Sequence, residues 1–315
     1  MFKILKFQEN NIFIYFSVSL IVLLGLIFRF YNIGYESLWL DEIFTFWVTD
    51  PNLSLTETFS RVKSTEYIPF LHYYIIKICN SFFGYEPIVG RIFSAVFGFL
   101  SIFTLGILCR KFVNNKCYLL TLCLASLNIY LIIYSQEMRV YIFTFFLVSL
   151  SLIFFFNLYD EYKSKIFTKN FFFFSLFMLL AIFSHPFSII ILGSLICFTF
   201  VDYFFFKVKN KKINISLMLI FIFTLFFLFH YLQYVSLITD AINWIKQPDL
   251  KFYTNFYFSK FFGSRLLGII HLIILVTLSF YLWKKIVYNK KIIFLYIMLF
   301  LSYFVPLIYG YFLKP

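Results

Sequence analysis

The chain has 315 residues, of which 62% are hydrophobic and only 13% charged, with a mean hydropathy of +0.90. Soluble domains carry about 25% charge, so a large soluble domain is excluded and an integral membrane protein is expected. The 27 Lys and Arg exceed the 14 Asp and Glu by 13, a surplus better used for membrane topology than for nucleic acid, which is set aside as a partner.

The 51 Phe, with abundant Ile, Lys and Asn, look like the product of an AT-rich genome and carry no functional weight here. The five cysteines, Cys79, Cys109, Cys117, Cys123 and Cys197, form no C-x-x-C pair and read as small membrane-buried residues.

The first apolar run, 11 to 29, follows Lys3 and Lys6 and is not followed by a small-residue cleavage pattern, so it reads as a signal anchor. Residues 30 to 90 then form one long connection. Six apolar runs follow, at 91 to 109, 117 to 134, 140 to 158, 170 to 184, 187 to 206 and 213 to 236. A second connection covers 237 to 265, and two last runs lie at 266 to 283 and 292 to 312. Each suits a bilayer core of roughly 30 Å, which needs about 20 apolar residues per helix. The expectation is an all-α polytopic membrane protein, a single membrane domain over 1–315 with about nine transmembrane helices.

Charge placement orients it. With the amino terminus in the cytoplasm, the basic groups at 3–6, 110–116, 163–169, 207–212 and 284–291 fall inside. The acids Glu36, Asp41, Glu42, Asp50, Glu57, Glu66, Glu86, Glu137, Asp240 and Asp249 fall outside. Counting 67 to 83 as a tenth span would invert every later loop, so that stretch reads as an interfacial or re-entrant helix. The segment near 42 to 62 reads as amphipathic, with Phe44, Trp47, Phe59 and Val62 available to lie on the membrane.

Ionisable groups at membrane depth are costly, so those not needed for topology become candidates for chemistry. Five clusters fall on the outer side. LWLDE (38 to 42) offers the pair Asp41 and Glu42; the alternative is a helix start with Asp41 as N-cap and Glu42 in the first turn. Adjacent helical residues diverge by about 100°, so the two acids are not expected to share one role. STEYIPFLHYY (64 to 74) places Glu66 and His72 on either side of Pro69, or else forms an interfacial belt. YSQEMRVY (134 to 141) holds Gln136, Glu137 and Arg139, or an ion pair internal to the hairpin. SHP (184 to 186) brings His185 to the outer interface, or simply turns. AINWIKQPD (241 to 249) brings Trp244, followed by Arg265 at the start of the next run. Together they provide a carboxylate fit for general-base work and cations to hold an anionic leaving group.

The order and spacing of RFYNIGYESLWLDEIFT (29 to 45), EYIPFLHYYIIKICNSFFGYEPIVGRIFSAVFG (66 to 98), YSQEMRVY and the WIKQP segment resemble the glycosyltransferase-C superfamily. The resemblance is to its branch of protein O-mannosyltransferases and aminoarabinose transferases, and it covers most of the chain. It implies inverting transfer of a sugar from a polyprenyl-phosphate carrier to a lipid, glycan or protein acceptor on the outer face of the membrane, in a bacterial inner membrane.

Within that resemblance Asp41 is general base or acceptor-orienting group, with Glu42 beside it. Arg139 is the first candidate for the donor phosphate, with Arg91 and Arg265 behind it, and Glu66, His72, Gln136, Glu137, His185 and Trp244 line the site or the acceptor. Ile68-Pro69 and Glu66 depart from the family pattern, so metal dependence is not carried over: a divalent metal ion, with Glu66 as a candidate to bind it or the acceptor, stays open and is not required by the sequence. Many relatives continue beyond a segment like YGYFLKP (309 to 315); a compact member, a truncated frame and an inactive remnant are the readings this leaves open. With no D-x-D, G-x-G-x-x-G or P-loop motif, the competing class is a non-catalytic membrane protein such as a lipid-linked sugar flippase. A transporter would place its polar residues within its spans, whereas these lie at one interface.

Overall fold

The computed structural model describes residues 12–65, 68–113, 117–161, 167–208, 210–235, 249–255, 258 and 264–312, and among them it is helical with no strand. The helices are α1 (Ile12–Phe30), α2 (Leu40–Val48), α3 (Leu55–Thr65), α4 (Leu71–Phe83), α5 (Pro87–Phe112), α6 (Tyr118–Leu127), α7 (Ile129–Gln136) and α8 (Tyr141–Asp160). They continue with α9 (Lys169–Ser184), α10 (Ser188–Phe206), α11 (Lys211–Val235), α12 (Leu250–Asn255), α13 (Arg265–Tyr281), α14 (Trp283–Tyr288) and α15 (Lys290–Phe312).

All nine expected runs are helical in their described parts, but they are not nine equal spans. Five helices, α5, α8, α10, α11 and α15, are long and apolar enough to cross a membrane, and α6 with α7 makes a sixth if the bent pair is one span. The other three are shorter apolar stretches, Tyr15–Phe30, Lys169–Ser184 and Arg265–Tyr281. The protein is a polytopic all-α membrane protein.

The run expected as one helix at 117 to 134 breaks at Asn128, with a 51° bend. Asn128 leaves helical geometry and its side chain accepts the Leu131 N–H at 3.0 Å, capping α7. The last carbonyls of α6 need partners that no following turn provides. Arg29 of α1, fully buried, donates to the carbonyls of Ala125 at 2.9 Å and Ser126 at 3.2 Å. A cation from a neighbouring helix thus serves the C-terminal end of α6, where the helix dipole favours positive charge.

The chain divides into two compact units, 1–188 with 218–224, and 189–217 with 225–315. In the first, α5 is the central element, packed against α1, α4, α6, α7 and α8. Its apolar contacts form clusters around Ile102, Leu122 and Ala125, and around Phe143, Leu147 and Ala181. The long first connection folds onto this core as α2, α3 and α4. There Val48, Val62 and Tyr73 are buried together, with Phe44 packed against them. The expectation that Phe44 and Val62 lie on the membrane therefore fails: the hydrophobic face of α2 and α3 is spent on α4. Trp47 stays 44% exposed, beneath the Arg61 guanidinium at 4.3 Å. Ser54 and Glu57 form a reciprocal capping box at the start of α3, and Gly84, at φ 102°, turns the chain from α4 into α5.

In the second unit Lys290, at the start of α15, pairs with Asp202 of α10 at 2.7 Å, and Phe198 meets Phe294 edge-on. An apolar cavity of about 630 Å³ lies between α13 and α15, lined by His271, Ser279, Trp283, Tyr296 and Phe300 among others.

Close approach of α7 and its following segment to α5 depends on two glycines. A Cβ on Gly98 would overlap the Ser135 hydroxyl, and one on Gly90 would overlap the Met138 side chain. Gly98→Val is expected to lower stability by about 1–3 kcal/mol through overpacking. Thermal unfolding in detergent, compared with the wild type, measures it.

Candidate functional site

The site is built where α2 starts. Its N-cap is Trp39, with no side-chain cap, so Asp41 is not the N-cap: both acids sit in the first turn, where the helix dipole favours negative charge. One residue apart on a helix, they point in different directions, and the structure gives them different neighbours.

Glu42 points inward and is 1% exposed. Its Oε1 accepts the Arg91 Nε–H at 2.9 Å and the Met138 backbone N–H at 2.8 Å, and its Oε2 accepts from Arg91 Nη2 at 2.7 Å. This is a bidentate carboxylate–guanidinium pair. Arg91 also donates through Nη1 to the carbonyls of Ile33 at 3.1 Å and Glu36 at 2.8 Å, and through Nη2 to Ser37 at 3.5 Å. All five guanidinium N–H groups are thereby engaged. Arg91, expected behind Arg139 as a phosphate holder, has no donor left for a ligand, and Glu42, expected beside Asp41 in catalysis, has both oxygens committed. The pair is structural because each partner satisfies the other's buried polar atoms.

Asp41 points the other way and is 34% exposed, the accessible acid of the two. Its Oδ2 lies 3.5 Å from Arg139 Nη2, a longer ion pair than that of Glu42 with Arg91. Arg139, 3% exposed, is held by Nη1 on the Asp41 carbonyl and the Thr45 hydroxyl, both at 3.1 Å, and lies 5.8 Å from the Tyr141 ring. The hairpin cation thus turns to α2.

Around this couple stand Glu137 and two histidines. Glu137 follows α7, and one of its carboxylate oxygens is buried with no hydrogen-bond partner. Burial, and then the Glu42 charge, push its pKa up to about 7, against the opposing pull of Arg139. His72 on α4 is fully buried against Phe93 and Tyr73, and its Nε2 has no partner. Burial and the Arg139 charge lower its pKa to about 3. His185 caps the end of α9, its Nδ1 accepts from the Phe187 N–H at 3.3 Å, and its ring lies 5.8 Å from that of Tyr141. The same two causes lower its pKa to about 4. Both imidazoles are neutral at physiological pH.

Gln136 has a fixing part: its Nε2 donates to the carbonyls of Phe28 at 2.9 Å and Tyr31 at 3.1 Å, binding the end of α1 to α7. Arg265 belongs to the second unit, where it donates to Asn255. Glu66 and Trp244 lie outside the described residues. Among the described residues, no three His, Cys, Asp or Glu side chains converge on a metal-sized site. Sequence reasoning missed Gly90, Met138 and Thr45. The first two form one contact, since Met138 packs on bare Gly90 while its N–H holds Glu42. The glycine beside Arg91 in IVGR was the available signal.

No protein-family model matches the chain, and no curated protein matches it either. Among solved structures it is similar to the archaeal oligosaccharyltransferase AglB from Archaeoglobus fulgidus, in complex with an inhibitory peptide and a dolichol-phosphate. The TM-score is 0.52 at 13% identity, over 95% of this chain and 37% of that one. The Archaeoglobus fulgidus oligosaccharyltransferase in complex with Zn and sulfate gives 0.48 at 16% identity, over 94% and 39%. The chain thus spans little more than a third of the length of these structures. At such an identity the likeness to AglB is one of fold alone.

Removing one partner of a buried ion pair leaves a buried charge uncompensated, at a cost of about 3–5 kcal/mol. Arg91→Ala is expected to lose stability on that scale. Asp41→Asn removes a longer, partly solvated contact to Arg139 and should cost less, about 1 kcal/mol. Melting of the two purified variants in one detergent separates them.

Proposed function

We propose that this chain is a membrane glycosyltransferase that moves a sugar from a polyprenyl-phosphate carrier to a lipid, glycan or protein acceptor at the outer face of the membrane. The observation that carries the proposal is the pairing of an accessible carboxylate, Asp41 in the first turn of α2, with a buried cation, Arg139 in the segment after α7, whose Nη1 is held on α2. The fold likeness to AglB supports it, and the dolichol-phosphate bound by that protein is of the chemical kind of the carrier phosphate that this reaction releases. The placement of basic groups in alternate loops supports the orientation.

The reaction is an inverting displacement. The acceptor nucleophile attacks the anomeric carbon while the bond from that carbon to the phosphate oxygen breaks. The electron pair leaves with the polyprenyl phosphate, and the nucleophile's proton passes to the Asp41 carboxylate. A phosphate is already a good anionic leaving group, so the site's main task is charge stabilisation. Arg139 supplies that charge, with help from the positive end of α2. Binding the phosphate at Arg139 draws the guanidinium's charge away from Asp41 and leaves that carboxylate to the acceptor. The Glu42–Arg91 pair holds the arrangement without touching substrate.

Loss of a general base costs about 10²–10⁴ in rate. Asp41→Asn is expected to lose transfer on that scale while inserting into membranes normally. Incubating purified protein with radiolabelled polyprenyl-phosphate sugars and membrane extract measures this, and transfer retained by the variant would refute the base assignment. Arg139→Ala removes a charged contact worth about 1.5–3 kcal/mol and is expected to lower kcat/KM for the lipid donor by about 10–200-fold. An unchanged donor dependence would remove the phosphate assignment.

A further inference from the structure

Glu137 is fixed on both sides and unsatisfied in the middle. The residue before it, Gln136, is tied to the end of α1, and the N–H of the residue after it, Met138, is tied to Glu42. The Glu137 carbonyl accepts the Arg139 N–H at 2.8 Å, which closes the turn. Its Oε2 is nevertheless buried without a hydrogen-bond partner. Native structures seldom leave a buried polar atom so, and such an atom asks what satisfies it. The charged and titratable groups facing this carboxyl are Asp41 and Glu42 from α2, Arg91 from α5, Arg139 in its own segment and Tyr134 on α7. Arg91 is committed to Glu42, so Arg139 is the cation whose balance a ligand can change.

We propose that Glu137 receives the anionic phosphodiester as a neutral acid: on binding it takes up a proton, and its carboxyl O–H donates to a phosphate oxygen held at Arg139. This rests on the reading of Arg139 as the donor-phosphate site. The proton comes from water, stays on Glu137 while the anion is bound, and returns to water when the anion leaves. A hydrogen-bond donor thereby forms where the empty site has an unsatisfied acceptor, and no unpaired carboxylate faces the incoming negative charge. The ordinary state of the group fits, since Glu137 is poised to titrate near neutrality. A bound anion adds negative charge and offsets the Arg139 charge that favours ionisation, and both effects hold the proton more tightly.

The sign of the linkage follows. The bound complex holds the proton better than the free protein, so affinity is highest at low pH and falls as pH rises through and above the free-state value. The fall is at most about tenfold per pH unit for one proton. A polyprenyl methyl phosphodiester is a suitable probe, because its single charge does not titrate in this range. Titration calorimetry of the full chain in two buffers of different ionisation enthalpy reads proton uptake directly, alongside a series from about pH 6 to about pH 9.

The wild type is expected to take up a proton and to lose about tenfold or more in affinity across the series. Glu137→Gln is fixed in the neutral form and is expected to keep the low-pH affinity throughout, with no proton uptake; that retained binding also shows the variant is folded. Wild-type binding without proton uptake, or a Glu137→Gln profile matching the wild type, overturns the inference and leaves the Arg139 reading standing. Failure of the wild type to bind the probe at any pH overturns the Arg139 reading, and the inference with it. Dimethyl phosphate in a parallel arm distinguishes a lipid from a free anion: the polyprenyl ester should bind at least about tenfold tighter through its buried apolar chain, and equal affinity overturns the lipid assignment.

Discussion

The buried contact between Glu42 and Arg91 decides how the first unit presents its chemistry. One guanidinium gathers the turn at 33–37, the start of α2 and the central helix α5, and the same carboxylate takes in the segment after α7 through the Met138 N–H. Taking two charges out of water is expensive, and such pairs are seldom a net source of stability. Their effect here is geometric. Once Glu42 is directed inward, the helical repeat directs Asp41 elsewhere, toward Arg139 and partly toward solvent. The accessible acid is where it is because its neighbour is not accessible.

The same economy runs through the rest of that unit. Helices in a lipid environment gain little from hydrophobic attraction between one another, and close packing with internal satisfaction of polar groups takes its place. Bare glycines let α7 and Met138 come up to α5. Arg29 supplies the carbonyls left over where α6 ends, and Gln136 does the same for the end of α1. Glu137 has the chain fixed on both sides of it and one carboxylate oxygen buried without a partner. A site that binds an anion through a fixed cation benefits from a nearby group able to shed its own negative charge.

Much of the architecture was legible because it follows from composition and periodicity. Long apolar runs make helices whatever their neighbours, and the helix expected within 67 to 83 forms over Leu71–Phe83. The bend at Asn128 was less legible: a break within an apolar run needs a donor for the carbonyls it frees, and that donor, Arg29, lies 96 residues from Ala125. Of the apolar residues in the amphipathic reading of 42 to 62, Phe44 and Val62 pack in a protein cluster, since a hydrophobic face fits a neighbouring helix as well as a bilayer, and Trp47 stays exposed.

The sequence by itself determined the class of protein, the helical runs and the short set of polar residues worth attention, because each depends on local composition and spacing. The tertiary structure alone divided labour within that set. Asp41 and Glu42 are equivalent by residue type, as are Arg91 and Arg139, and nothing local tells one from the other. Contacts between residues 49 to 98 positions apart in the chain do, by burying one acid–cation pair completely and leaving the acid of the other partly exposed.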